Sequence, residues 1–150
     1  MDSISKDKLE NKHILGIDYG QKFTGIASFY IGKDPYPLPW GRLKYVSDSE
    51  LIHSLKKIIE DEFIDIVVIG IPYFTDGKES TMTKTIKSFF YMLQDQLDIP
   101  AYSVDETLTT FEAKERMSND PRYNFKVDLT KIDELCAAII IEEFLKNSSD

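Results

Sequence analysis

The chain has 150 residues, 42% of them hydrophobic, which is enough for one full hydrophobic core and short for two. Its formal net charge of -8 argues against a protein that holds nucleic acid by bulk electrostatics, although divalent cations bound to a carboxylate site would offset that charge locally. A single cysteine excludes an internal disulfide framework and no stretch approaches the roughly 20 apolar residues of a spanning helix, so a cytoplasmic protein is expected.

Residues 1–12 alternate charges without an apolar h-region and read as a flexible N-terminal leader, not a signal peptide or anchor, ahead of a single domain over 13–150. An apolar strand, residues 14–17, then delivers Asp18 into a glycine turn. Gly20 and Gly25 let the backbone fold back tightly or lie close to a phosphate, and Thr24 adds a hydroxyl there. Burial explains the strand but not its ending in a carboxylate. An ordinary hairpin in which Asp18 caps its own turn fits the same residues.

Residues 24–31 and 41–46 extend this start into an antiparallel meander around a stiff Pro-rich turn, residues 33–39. Ser47 with Glu50 is a capping-box pattern, and Leu51, Ile52, Leu55, Ile58, Ile59 and Phe63 follow at helical spacing. The unbroken apolar run of residues 66–71 suits a central strand covered on both faces, with Gly70 and Pro72 ending it. Turn residues 75–78 lead into a second helix whose core face is Met82, Ile86, Phe89, Phe90, Leu93 and Leu97. A fifth strand, residues 101–104, ends in Asp105-Glu106, and Thr109 with Glu112 signals a third helix. A final helix is expected over 130–146. The pattern βββαβαβαα predicts a mixed α/β sheet, with the last two strands reached by helical crossovers and helices on both faces. Sites in such sheets form at the carboxyl ends of neighbouring strands, where Asp18 and Asp105-Glu106 both fall.

The acidic candidates are therefore Asp18, Asp105 with Glu106, and Asp133 near the start of the last helix. Each has a plain structural alternative: Asp133 pairs with Thr130 in a capping pattern, and Asp105 and Glu106 are ordinary turn residues. Convergence of the three would raise their pKa values or require a cation, and oxygen-only ligands select Mg²⁺ or Mn²⁺ over zinc. His13 and His53 lie beside no evident nucleophile, and Cys136 sits on an apolar helical stripe, so all three read as structural.

The ordered set Ile17-Asp-Tyr-Gly20, Gly70-Ile-Pro72 with Asp76-Gly77, Val104-Asp-Glu-Thr-Leu-Thr-Thr110 and Lys131-Ile-Asp-Glu-Leu-Cys-Ala-Ala138 resembles the Holliday-junction-resolvase-like family, also called the putative pre-16S rRNA nucleases. The resemblance runs from His13 to Leu145. It implies a ribonuclease-H-like fold with strand order 3-2-1-4-5 and a nuclease activity. It also implies that Asp18 is a metal ligand and a catalytic acid, that Asp105 or Glu106 supplies the second acid, with Glu106 the expected ligand, and that Asp133 supplies the third. Thr109 and Thr110 match hydroxyls that would contact phosphate from a helix start, and Lys22, Thr24, Arg122 and Lys126 are further candidates for substrate binding. Two departures stand out: relatives usually carry Arg where this chain has Thr107, and residues 118–131 hold only Arg122, Lys126 and Lys131 against Asp120 and Asp128.

The acidic candidates and the resemblance together imply a metal-dependent endonuclease in which two Mg²⁺ or Mn²⁺ ions flank a scissile phosphate. The resemblance implies a role in maturation of the 5′ end of precursor 16S rRNA. Cleavage of branched DNA and a noncatalytic nucleic-acid-binding module are the alternatives, and a junction-cleaving role favours a homodimer, with Phe29, Tyr30, Tyr36 and Trp40 as interface candidates. A nucleotide-binding role is also open, since Asp18-Tyr-Gly20 with Thr24-Gly25 is similar to the phosphate loop of the actin-like ATPases.

Overall fold

Alternation along β1 (His13–Asp18) divides the molecule into two layers, because successive strand residues point to opposite faces. The computed structural model describes residues 4–148. After α1 (Lys6–Leu9), the chain forms β1, β2 (Phe23–Tyr30), β3 (Leu38–Lys44), α2 (Asp48–Glu62), β4 (Ile66–Ile71), α3 (Thr81–Gln96), β5 (Ala101–Asp105), α4 (Thr109–Ser118), a 3₁₀ turn (Pro121–Tyr123) and α5 (Ile132–Lys146). The sheet order is β3-β2-β1-β4-β5. The meander β1-β2-β3 is antiparallel and β4 and β5 are parallel to β1, as expected from the crossover lengths.

Leu15, Ile17 and Tyr19 of the first strand and its turn, with Val67, Ile69 and Ile71 of β4, face α2 and α3 and form one core with Leu55, Phe89 and Leu93. Ile14, Val68 and Val104 point the other way, into a core with Ala137, Ile140, Ile141 and Phe144 of α5. The outer side of α5 packs Leu135, Cys136 and Ile139 against Ala113 and Met117 of α4. Helix α5 is thus apolar nearly all round because it lies between a sheet and another helix. No helix among the described residues is long and apolar enough to cross a membrane.

Several local expectations change. The segment read as a flexible leader contributes Leu9, 2% exposed, and the partly buried Ile4 to the α5-side core, so residues 4–12 are anchored by apolar burial; residues 1–3 lie outside the described residues. Strand β3 begins at Leu38, inside the Pro-rich stretch. Pro39 is tolerated because β3 is an edge strand, and the register shift between Ile26 and Ala27 coincides with Gly41 at φ 100°. Gly70 lies within β4 instead of ending it. Ser47 caps α2 by accepting a bond from the Glu50 N–H at 3.1 Å, but the Thr109 capping pattern is not realised: Leu108 holds the N-cap position of α4 without a side-chain bond. The last helix starts at Ile132. Thr130 donates its hydroxyl to Asp128 at 2.6 Å instead of capping α5, which removes the capping role expected for Asp133. Trp40 and Phe29 pack into the two cores and Tyr30 stacks on His13, whereas Tyr36 stays half exposed.

Candidate active site

The acids assemble by strand parity. Ile14, Gly16 and Asp18 share the α5 face of β1; Val68 and Gly70 share it on β4; Val104 and Glu106 share it at the end of β5. Glu106 is fixed there by its own N–H, which donates to the Ile71 carbonyl at 3.1 Å. Strand β4 lies between β1 and β5, and Gly70 leaves its surface bare at this level. A Cβ at position 70 would stand 2.8 Å from the Glu106 Cδ, so the missing side chain is what lets Glu106 reach across to Asp18.

Helix α5 brings the third acid. A Cβ at Gly25 would stand 2.0 Å from the Asp133 carbonyl oxygen, and one at Gly16 would stand 2.6 Å from that of Ala137. These glycines let the helix lie directly on the sheet with Asp133 at its carboxyl edge. Gly25 therefore makes room for helix packing, a use that neither the tight fold-back nor the phosphate approach read from its turn includes.

Burial, which strips the carboxylate of water, and the neighbouring Asp133 push Asp18 up to about 7, and its hydrogen bond with Glu106 only partly opposes this. Glu106 is raised well above the ordinary carboxylate range by burial and by Asp18. The two carboxyls share a proton, since two buried like charges in contact cannot both ionise. Asp133 is also raised by burial, but Arg42 of β3 opposes this from 3.7 Å. The expected three-acid cluster is thus only partly assembled. Among the described residues no three His, Cys, Asp or Glu side chains stand together closely enough to hold a metal ion. Asp18 and Glu106 face one another, while Asp133 is drawn toward Arg42.

Between the two acids ending β5, the geometry separates roles. Asp105 is exposed and accepts bonds from the Thr107 N–H at 2.8 Å and from the Thr107 hydroxyl, which makes it a turn residue. Glu106 is the acid that meets Asp18. The residues fit a hard divalent cation in donor chemistry: carboxylate oxygens only, two of them already bridged by a proton.

The candidates for substrate contact divide as well. Thr24 is fully buried, its hydroxyl donating to the Gly20 carbonyl and accepting from the Gly20 N–H, both at 3.3 Å. Thr109 is 5% exposed. Both residues are largely withdrawn from the surface, and the Thr24 hydroxyl holds its own turn instead. Lys22, Thr110 and Lys126 are exposed. Arg122 is exposed but forked onto Asp120, with Nη2 to Oδ2 at 2.7 Å and Nε to Oδ2 at 3.0 Å. His13 is buried and bonded to the Glu62 carbonyl at 2.9 Å, and burial pushes the Cys136 thiol well up, so neither is reactive. A cavity of about 820 Å³ adjoins the acids through Glu106, walled by Leu108, Phe111, Glu112, Arg116 and Glu143. Arg42 escaped the sequence reading altogether, because nothing in the linear order ties a strand-three arginine to the acid of the last helix.

The family described as RuvX, Holliday junction resolvase, matches residues 12–147. Relatives named "Putative pre-16S rRNA nuclease" include one from Orientia tsutsugamushi, 33% identical over 137 residues and covering 90% of this chain and 84% of the relative. Another, from Shewanella denitrificans, is 31% identical over 144 residues, 93% of this chain and 98% of the relative. Among solved structures, Thermus thermophilus RuvC in complex with a Holliday junction substrate superposes with a TM-score of 0.60 at 12% identity, covering 90% of this chain and 95% of that one. The yeast mitochondrial Holliday junction resolvase Ydc2 gives 0.57 at 13% identity, over 97% and 80%. The sheet order and the helices on both faces are those of the ribonuclease-H-like resolvase fold. With nearly its whole length matched, from the strand that carries Asp18 to the helix that carries Asp133, the chain belongs to the RuvX family.

Proposed function

We propose that this protein is a metal-dependent endonuclease that hydrolyses phosphodiester bonds, with precursor 16S rRNA near its 5′ end as substrate and the cytoplasm as its place of action. The observation that carries this reading is the buried Asp18–Glu106 pair at the carboxyl edge of the sheet, with Asp133 brought beside it by α5. The names of the relatives support the substrate class. Branched DNA is the second candidate substrate, favoured by the family's description and by a chain fold in common with junction resolvases.

Asp18 and Glu106, which already meet, and Asp133, which would have to turn from Arg42 to join them, are the residues that would hold Mg²⁺ or Mn²⁺, as two ions. When bound, such ions supply an activated water and stabilise the leaving oxygen of the phosphate. Asp18 and Glu106 orient the site, since the strand ends that carry them are tied into the sheet, and release of their shared proton opens their oxygens for coordination. Lys22, Thr110, Arg122 and Lys126, all exposed, are the groups proposed to contact the substrate backbone, Arg122 by giving up its fork on Asp120.

The test is Mg²⁺- and Mn²⁺-dependent cleavage of labelled precursor rRNA and of a four-way DNA junction, run beside Asp18→Asn and Asp133→Asn. Cleavage by the wild type that both substitutions abolish is expected. Turnover retained in folded Asp18→Asn would overturn the scheme.

A further inference from the structure

Asp18, Gly25 and Arg42 occupy a single row across three strands: Asp18 pairs with Gly25 on β2, and Gly25 pairs with Arg42 on β3. Residues directly opposite one another in antiparallel strands project to the same face, so Asp18 and Arg42 both point to the α5 side of the sheet. Gly25 between them has no side chain, and the Asp133 backbone fills that place. Asp133 therefore stands between a buried carboxylate and a guanidinium.

The chain has three arginines, and the other two are committed. Arg116 is clamped by Glu142 at 2.6 Å and 3.0 Å and by Glu112 at 3.1 Å, and Arg122 is forked onto Asp120. Arg42 differs. Its ionic contact, to Asp133, is 3.7 Å long, beyond ordinary hydrogen-bond length, and its side chain keeps 30% exposure. The guanidinium carbon lies 3.6 Å from the centroid of the Phe23 ring, so the group is steadied by its face, and among the described residues no ordinary-length hydrogen bond takes its N–H edge. A steadied guanidinium with open donors, beside carboxylates at a strand-end edge, has the chemistry for bidentate recognition of a phosphodiester. In a chain of net charge -8, such a local cation is also what draws a polyanion to an acidic site.

We infer that Arg42 is a substrate-positioning residue, its guanidinium gripping a backbone phosphate of the bound nucleic acid beside Asp133. The inference rests on the nuclease reading of the same site and adds to it the residue that holds the substrate there.

Binding of two labelled probes, an RNA carrying the 5′ end of precursor 16S rRNA and a four-way DNA junction, is measured with the full chain in Ca²⁺ between 50 and 200 mM salt. Arg42→Ala should weaken binding about tenfold and lower the slope of log affinity against log salt by about one, the signature of one lost phosphate contact. Arg42→Lys should keep the slope while losing part of the affinity, because the charge remains and the planar fork does not. That variant keeps the test decisive if the alanine form misfolds. An unchanged slope in folded Arg42→Ala overturns the inference, above all if Mn²⁺ affinity measured by calorimetry rises, since Arg42 would then serve only as the counter-ion of Asp133. Failure of the wild type to bind either probe overturns it too. A wild type that binds but never cuts removes the nuclease reading and leaves the salt-slope result standing.

Discussion

Glu106 reaches Asp18 across the full width of β4 because position 70 is glycine: a Cβ there would stand 2.8 Å from the Glu106 Cδ and 2.6 Å from the Ile140 Cδ1. Gly70→Ala should therefore displace both the acid and α5. The expected outcome is a loss of about 10²-fold in cleavage rate, as for other small misplacements of reacting groups, with a stability cost of about 1–3 kcal/mol from overpacking. Single-turnover cleavage and urea unfolding of the same preparation check both. Wild-type rates in Gly70→Ala would mean that the Glu106 contact is dispensable.

The two acids ending β5 should respond differently to substitution. Glu106→Gln removes a carboxylate that meets Asp18 directly. Outer partners of a metal site are worth about 10–100-fold, so cleavage should fall by more than that. Asp105→Ala removes only the bonds to Thr107 and should cost about 1 kcal/mol of stability, with cleavage within about tenfold of the wild type. The reverse ranking in a cleavage assay would exchange the roles assigned to the two residues.

Stability of the metal-free protein should fall as pH rises through the acid cluster. Asp18 goes from 3.8 to about 7 on folding, and Glu106 and Asp133 are raised as well, so the folded state binds more protons than the unfolded chain between about pH 4 and 7. Stability is then highest at the acid end of that window and declines toward pH 7, by an amount on the order of 4 kcal/mol. The lowered carboxyls, Asp120 and Asp128, act only below the window, because they are ionised in both states above it. Urea midpoints in chelator at pH 5, 6, 7 and 8 should decline, and Asp18→Asn should flatten the trend. A rise with pH in the wild type would contradict the shared proton.

Leu9 is 2% exposed within the α5-side core, although it stands in a segment whose composition reads as a leader. Leu9→Ala should destabilise the protein by about 2 kcal/mol, the low end for a buried leucine, because a site near the terminus can relax. Denaturant unfolding measures this, and a variant as stable as the wild type would return residues 4–12 to the role of a loose leader.

The order of elements, the mixed sheet, the two-sided helical cover and the strand-end position of Asp18 were legible from the sequence, because strand parity, helical spacing and crossover length are local properties. The four ordered motifs also carried the family. Other features depended on what lies opposite what. Glu106 was separable from Asp105 only once the Ile71 carbonyl and the gap at Gly70 were in place, since either acid could have faced inward from a turn. Thr24 and Thr109 looked available as phosphate contacts until folding buried them. Arg42 came to the site through sheet register and through an α5 laid over Gly25, relations between residues about 90 positions apart that no local pattern encodes. The sequence alone determined which groups could do the chemistry; only packing of α5 on a glycine-bared sheet decided which of them meet, because contact between distant segments is set by tertiary structure.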